Sequence, residues 1–267
     1  MPLWIPIALA AAAVAFLVTR GASASTPPPA AGSGIGSLEG IRNSGWGAAL
    51  SVYPGPMPVG AMLRIIRAES GGDPNAAAYG AVAGASELGG TQLVVEHDEN
   101  GTPKLASRAG AIGADVDPLD RLGAVFGAQW VYQNARTRFA ADLEERGMRV
   151  PSDTEVRDWI TLMHAHHSIG PGGLRALLDG MKRRGVTDPI VGLHGYATTA
   201  LPPKLGRQSP ALVRKRILKM LALPGLAESA EPLPARIEPL RARVPEVQPF
   251  DAARAKARIL EAKRRRG

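Results

Sequence analysis

The sequence predicts a mainly α-helical domain with one small β-hairpin. An apolar anchor or signal helix precedes it, and a proline-rich basic tail follows. Apolar residues recur at helical spacing in stretches between residues 59 and 221. A single strand-like run, Gln92-Leu-Val-Val-Glu96, is followed by Asn100-Gly101 as a hairpin turn. Glycine and proline cluster outside the central region, which sets the boundaries there. These boundaries give a signal or anchor segment over 1–24, a flexible linker over 25–52, a globular domain over 53–222 and a tail over 223–267.

The N-terminal run Leu3 to Val18 is apolar and slightly short for a comfortable transmembrane helix. No lysine or arginine precedes it, and Ala22-Ser23-Ala24 offers a small-residue cleavage site. It reads as an export signal or uncleaved membrane anchor, with a buried core helix as the alternative. Ser25 to Gly36 (STPPPAAGSGIG) reads as an extended linker, and the globular part starts near Trp46 or Tyr53.

Within the domain, Val59, Met62, Leu63 and Ile66 fall on one helix face, and Glu69 comes next in that series. Gly71-Gly72 and Asp73-Pro74 stop the helix. Burial and the helix C-terminal dipole both disfavour a charged Glu69, so its pKa is expected to rise. A carboxyl that keeps its proton near neutral pH suits a general acid; the alternative is a solvated glutamate at a frayed end. Asp117-Pro118 reads as N-cap and first turn of a helix that runs toward Gly147. Ser152-Asp-Thr-Glu155 reads as a capping box opening the next helix, which ends in His164-Ala-His-His-Ser-Ile-Gly-Pro-Gly172. Helices over Leu174 to Arg184 and Ser209 to Leu221 close the domain. Beyond Pro224 a proline-rich spacer leads to Asp251–Gly267, a basic helix candidate that reads as a solvated tail or an acidic-surface binder.

Composition narrows the chemistry. The chain has 32 Lys and Arg against 24 Asp and Glu, a net +8, which favours an anionic partner: nucleic acid, phospholipid or wall polymer. It has no cysteine, which excludes disulfides, thiol catalysis and Cys-ligated zinc. His164 and His167 are three apart on a helix, but there is no H-E-x-x-H and no carboxylate at i+4, so no metal is expected. Gly170-Pro-Gly-Gly173 lacks the lysine and preceding strand of a phosphate loop, and no cofactor is implied.

Several of these pieces stand in a particular order. Ile65-Ile-Arg-Ala-Glu-Ser-Gly-Gly-Asp-Pro-Asn-Ala76 resembles the catalytic segment of the soluble lytic transglycosylase family, roughly I-x-x-E-S-x-x-x-P-x-A. Ala83-Gly-Ala85 and Gly89-Gly-Thr-Gln92 stand where that family has A-G-A and G-L-M-Q, with Ser86-Glu-Leu88 as extra residues between. Asp117-Pro118 matches its D-P helix, and His166-His-Ser-Ile-Gly-Pro-Gly172 stands at its A-Y-N-A-G-P-G. Its closing helix is similar to Ala211-Leu-Val-Arg-Lys-Arg-Ile217, so the resemblance covers about residues 53–222.

The resemblance implies a lysozyme-like fold that cleaves the bond between N-acetylmuramic acid and N-acetylglucosamine in peptidoglycan. Glu69 would be the single catalytic acid and base, giving a 1,6-anhydro product. Ser70 would support Glu69, and Gln92 would line the sugar cleft. His167-Ser168 replaces the family's Tyr-Asn, and both residues can still hydrogen-bond to a sugar or to Glu69. Gly90-Thr91 replaces its hydrophobic pair. Hydrolysis normally takes two carboxylates, and Glu87 and Asp73 are the candidates for a second. Tyr196 is a further cleft candidate, with a half-buried structural tyrosine as the alternative.

The implied setting is periplasmic or extracytoplasmic, membrane-anchored through residues 3–18, or a phage virion that must breach a wall. The partners would be glycan strands, and an anionic polymer or lipid for the basic tail, with no specific nucleic acid. A hydrolytic muramidase, or a non-catalytic glycan-binding structural module, are the other readings.

Overall fold

The computed structural model describes residues 37–79, 85–100, 102–105, 116–203, 205, 208–221 and 248–265. The apolar run 3–18, the linker 25–36, the proline-rich spacer and Arg266 lie outside the described residues, as do most of Ala83-Gly-Ala85 and Gly101. Among the described residues no helix is long and apolar enough to cross a membrane.

The architecture is mainly helical with a small antiparallel sheet. In order, the elements are α1 (Leu38–Ile41), α2 (Gly47–Val52), α3 (Val59–Ser70), β1 (Ala77–Tyr79), β2 (Ala85–Leu88), β3 (Leu93–His97) and β4 (Pro103–Leu105). Then follow α4 (Arg121–Glu145), α5 (Val156–Ile169), α6 (Pro171–Arg183), α7 (Pro189–Thr198), α8 (Pro210–Leu221) and α9 (Ala252–Arg264). The main core is largely aliphatic, with Trp46, Tyr53, Phe126, Tyr132, Phe139, Trp159 and Tyr196 as its large buried rings.

The globular part starts earlier than the sequence suggests. Residues 38–52, expected as linker, are folded: Ile41, Trp46, Ala49 and Leu50 are all buried in the main core. The reason is an apolar i, i+4 pattern that short, glycine-broken turns conceal. Gly45, at φ +97°, kinks the chain between α1 and α2, a conformation that suits glycine. Trp46 then donates from its indole nitrogen to the Gly72 carbonyl at 2.9 Å, so this segment buttresses the end of α3.

The strands form a meander in the order β1-β2-β3-β4, larger than the single hairpin expected. The expected hairpin is its β3–β4 half. There Asp98 accepts the backbone N–H groups of Asn100 and Thr102, and His97 pairs with Pro103.

The cap of α4 lies three residues later than the sequence suggests. Asp120 is the N-cap, accepting from Gly123 N at 3.0 Å. Asp117 instead accepts from Leu119 N in a tight turn and pairs with Arg254 at 3.0 Å. Only half of the expected capping box at α5 forms. Glu155 accepts from Ser152 N, but the Ser152 hydroxyl meets Thr154, and Glu155 itself is the N-cap residue.

The basic tail is not solvated along its whole face. Helix α9 lays Ala255 and Ile259 on Leu88 and Val95 of the sheet and on Leu119, forming a second small core. Its Arg254 also reaches Asn75, in the loop after α3. The alanine-rich stripe that made the segment look featureless is what lets the helix approach the sheet closely.

Candidate active site

Helix α3 spans Val59–Ser70, as its apolar series predicts, with Ala61, Met62, Leu63, Ile65 and Ile66 buried. Gly71 closes it in the left-handed conformation at φ 65°. Ser70 is spent on this terminus: its hydroxyl donates to the Ile66 carbonyl and accepts from Gly72 N. It therefore supports Glu69 through the backbone. Glu69 is left with a side chain 17 % exposed.

Glu69 has an unforeseen partner. Lys219 of α8 donates from Nζ to Glu69 Oε2 at 3.0 Å, across 150 residues of sequence. Burial pushes the Glu69 carboxyl up, but the Lys219 ammonium and the neighbouring histidines outweigh it and hold the pKa below the usual value. His164 is fully buried, and burial pushes its pKa down to about 4. At neutral pH it carries no charge, which leaves Lys219 as the cation that matters. The expectation of a raised pKa is thus overturned in the free protein, because α8 delivers a cation that the local sequence does not show.

Glu87 stands in β2, opposite Val94. It accepts from Arg216 Nη2 at 3.3 Å, and its side chain is 23 % exposed. Burial pushes its pKa up, Arg216 pulls it down, and the nearby Glu69 charge pushes it up again, for a net rise. The two carboxyls therefore sense each other with opposite outcomes. Glu69 is shifted toward its charged form and Glu87 toward its protonated form.

The turn Gly89-Gly-Thr-Gln92 joins β2 to β3. A Cβ on Gly89 would fall 1.8 Å from the Pro118 carbonyl oxygen, and one on Gly90 would fall 2.2 Å from the Trp46 indole. The indole of Trp46 thus occupies the space that a hydrophobic side chain at position 90 would need. Thr91 is buried and donates to the Ala124 carbonyl. Gln92 has φ +52°, a strained value for a residue with a Cβ. Its amide nitrogen donates to the Gly89 carbonyl at 2.7 Å, so this side chain fixes its own turn and does not offer that donor to a ligand.

Helix α5 supplies His164, His167 and Ser168. His167 is hydrogen-bonded to the Thr91 backbone, which ties the turn to α5. Burial nonetheless keeps its pKa below the ordinary histidine value. Its ring lies 5.5 Å from that of Tyr132, whose hydroxyl is kept protonated by burial and by the Glu69 charge. The Ser168 hydroxyl lies 3.4 Å from His164 Nε2, and its carbonyl accepts from Arg216. His164 Nδ1 is buried without a hydrogen-bond partner. Among the described residues no group of three or more His, Asp or Glu could hold a metal ion.

The structure brings Glu69, Glu87, His167 and Ser168 together, with the Gln92 turn beside them. It does not bring Tyr196. That residue is buried between α6 and α7, donates to the Leu177 carbonyl at 3.1 Å and stacks under Arg184. The sequence reading missed Arg216, Lys219, Tyr132 and Trp46, and weighed His164 only as a metal ligand. Arg216 and Lys219 lie three apart on a basic amphipathic helix, a pattern that looks like an ordinary solvated face. No protein-family model, curated protein or solved structure matches the chain.

Proposed function

We propose that this protein cleaves the glycan strands of peptidoglycan, with Glu69 as the acid–base carboxyl of a lysozyme-like domain. The observation that carries the reading is the meeting of Glu69 and Glu87 on the α3, α5 and α8 cluster. Two acidic groups have their pKa values pushed apart at one partly exposed place. The sequence resemblance supplies the substrate class and the role of Glu69.

The step balances with one carboxyl. Protonated Glu69 gives its proton to the glycosidic oxygen, and the C1–O bond of the muramyl unit breaks. The C6 hydroxyl of that unit attacks C1 and returns its proton to the Glu69 carboxylate. A 1,6-anhydro ring forms and no water is consumed. Glu87 takes no part in this version; its carboxyl is engaged by Arg216 at 3.3 Å. Hydrolysis is the second reading: two neighbouring carboxyls with pKa values shifted in opposite directions are also the acid–base pairing of a two-carboxyl glycosidase.

Mass spectrometry of peptidoglycan digested by wild type and Glu69→Gln tests both. Anhydro-muropeptides from wild type alone are expected, whereas reducing ends would establish hydrolysis. Products from neither protein would leave the fold as a glycan-binding module. By the same reading the protein works outside the cytoplasm or in a virion, where the basic surface favours an anionic polymer.

A further inference from the structure

The ends of α6 and α7, together with α8, carry cations that no carboxylate meets. From Lys182 to Leu221 the sequence has a single acidic residue, Asp188. Arg149 and the backbone of the first turn of α7 already engage it. Over the same stretch Lys182, Arg183, Arg184 and Lys215 are exposed, and Arg214 is half-buried. Among the described residues none of these five has an ion-pair partner, whereas Arg216 and Lys219 of α8 meet Glu87 and Glu69. Two of the five converge on one residue. Arg184 donates from Nη1 to the Thr199 hydroxyl at 3.1 Å, and Arg214 donates from Nη2 to the Thr199 carbonyl at 2.7 Å. Arg214 also donates from Nη1 to the Ala197 carbonyl at 3.3 Å. The Arg184 guanidinium lies over the buried Tyr196 ring, 4.2 Å from its centroid. Neutral groups thus hold two guanidiniums at one exposed residue while their like charges repel. The C-terminal dipole of α7 supplies about half a negative charge there, which offsets one of the two at most.

We propose that Arg184 and Arg214, with the Thr199 hydroxyl, form a binding site for a phosphomonoester group. Each planar guanidinium presents a fork of N–H donors that matches a pair of phosphate oxygens. Tyr196 and Thr199 hold these forks in place before a ligand arrives, which lowers the ordering cost of binding. The Thr199 oxygen accepts from Arg184, so its own O–H serves as a further donor to the phosphate. A phosphomonoester carries a charge of about −1.5 to −2 near pH 7 and so matches two guanidiniums. A lone carboxylate leaves one of them uncompensated. Lys182, Arg183 and Lys215 at the rim draw the anion in from a distance. The carrier is either a small soluble phosphomonoester or a phosphatidic-acid headgroup, and both present the same group. The site does not depend on the role of Glu69, and either reading can fail without the other.

The test titrates inorganic phosphate into the full chain by calorimetry at low ionic strength, for wild type, Arg184→Gln and Arg175→Gln. Arg175 is another exposed arginine, but it is paired with Asp142, so its loss removes the same charge elsewhere. Wild type is expected to bind phosphate saturably, and Arg184→Gln to weaken that binding by about tenfold or more. Arg175→Gln should stay within about twofold of wild type, since distant exposed charges are screened. Arg214→Lys keeps the charge and loses the fork, so it should also weaken binding. Pelleting with phosphatidylcholine vesicles that include phosphatidic acid then identifies the carrier. Pelleting that Arg184→Gln abolishes assigns the lipid headgroup, and phosphate binding without pelleting assigns a soluble phosphomonoester. No saturable phosphate binding by wild type, or an equal loss in Arg184→Gln and Arg175→Gln, overturns the proposal.

Discussion

At the start of α5, Glu155 and Asp158 converge with Asp188 on the guanidinium of Arg149, at 2.6, 2.5 and 2.8 Å. At its other end, His164, His167 and Ser168 stand beside Glu69 and Glu87, which each face one cation. Both clusters perturb their members. Hydrogen bonds that Arg149 donates to Asp158 and Asp188 push its pKa up, and against burial the bond from Arg149 holds Asp188 below its ordinary value. In the first cluster every shift stabilises the charge already present at neutral pH. In the second, like charges approach each other and neutral histidines are buried behind them, so some shifts oppose charge. A perturbed pKa alone therefore does not mark a working site; acidic groups pushed in opposite directions within one cluster are what supports the proposed one.

The sharpest way to break this contrast is to remove one member from each cluster. Glu69→Gln should lower glycan cleavage by about 10²–10⁴-fold with melting temperature nearly unchanged, as scored by muropeptide release and thermal unfolding. Next in size is the buried His164, whose folded pKa of about 4 lies below its ordinary 6.5. The stability from keeping it neutral is full above pH 6.5 and is lost as pH falls from there toward 4. The linkage amounts to about 3 kcal/mol. Urea midpoints measured across this range should show that loss, and His164→Gln should flatten it. Asp188 in the other cluster behaves differently: its depressed pKa keeps its contribution above its ordinary 3.8, and that is lost only as pH falls further. An unfolding profile with a single acid transition would erase the distinction.

Arg149→Ala should cost about 1 kcal/mol, or about 2–4 °C in Tm, because its pairs are partly exposed and screened. Cleavage by this variant should match wild type, and a large loss would mean that the first cluster also serves the site. The smallest expected effect belongs to Glu87→Gln, which should keep anhydro-product formation within about tenfold if Glu69 works alone. A drop as deep as that of Glu69→Gln, with reducing ends in the wild-type products, would establish the two-carboxyl mechanism.

Much of the scaffold was legible in the sequence because local rules suffice for it. The face ending in Ile66, the Gly71 stop and the helix after Gly170-Pro171 all follow from periodicity and capping. The placement of Glu69 at a helix terminus follows from the same rules. Its electrostatics do not, since Lys219 lies 150 residues away and only the packing of α8 on α5 brings them together. The same holds for Trp46, whose indole fills the space beside Gly90, and for the docking of α9 on the sheet. Of the two readings of Tyr196, cleft contact and structural tyrosine, the structure takes the second, because the α6–α7 interface needs it for packing.

That docking of α9 has a consequence for how the chain is made. The apolar face of Leu88 and Val95 is synthesised more than 150 residues before Ala255 and Ile259 arrive to cover it. During translation the sheet therefore lacks its α9 partners until late, and the loop after α3 waits for Arg254 to reach Asn75. A ribosome that stops before α9 leaves the Glu69 helix and its core complete, with the adjoining sheet presenting an apolar face to chaperones and proteases. The last described helix thus completes the small core on the sheet only at the end of synthesis.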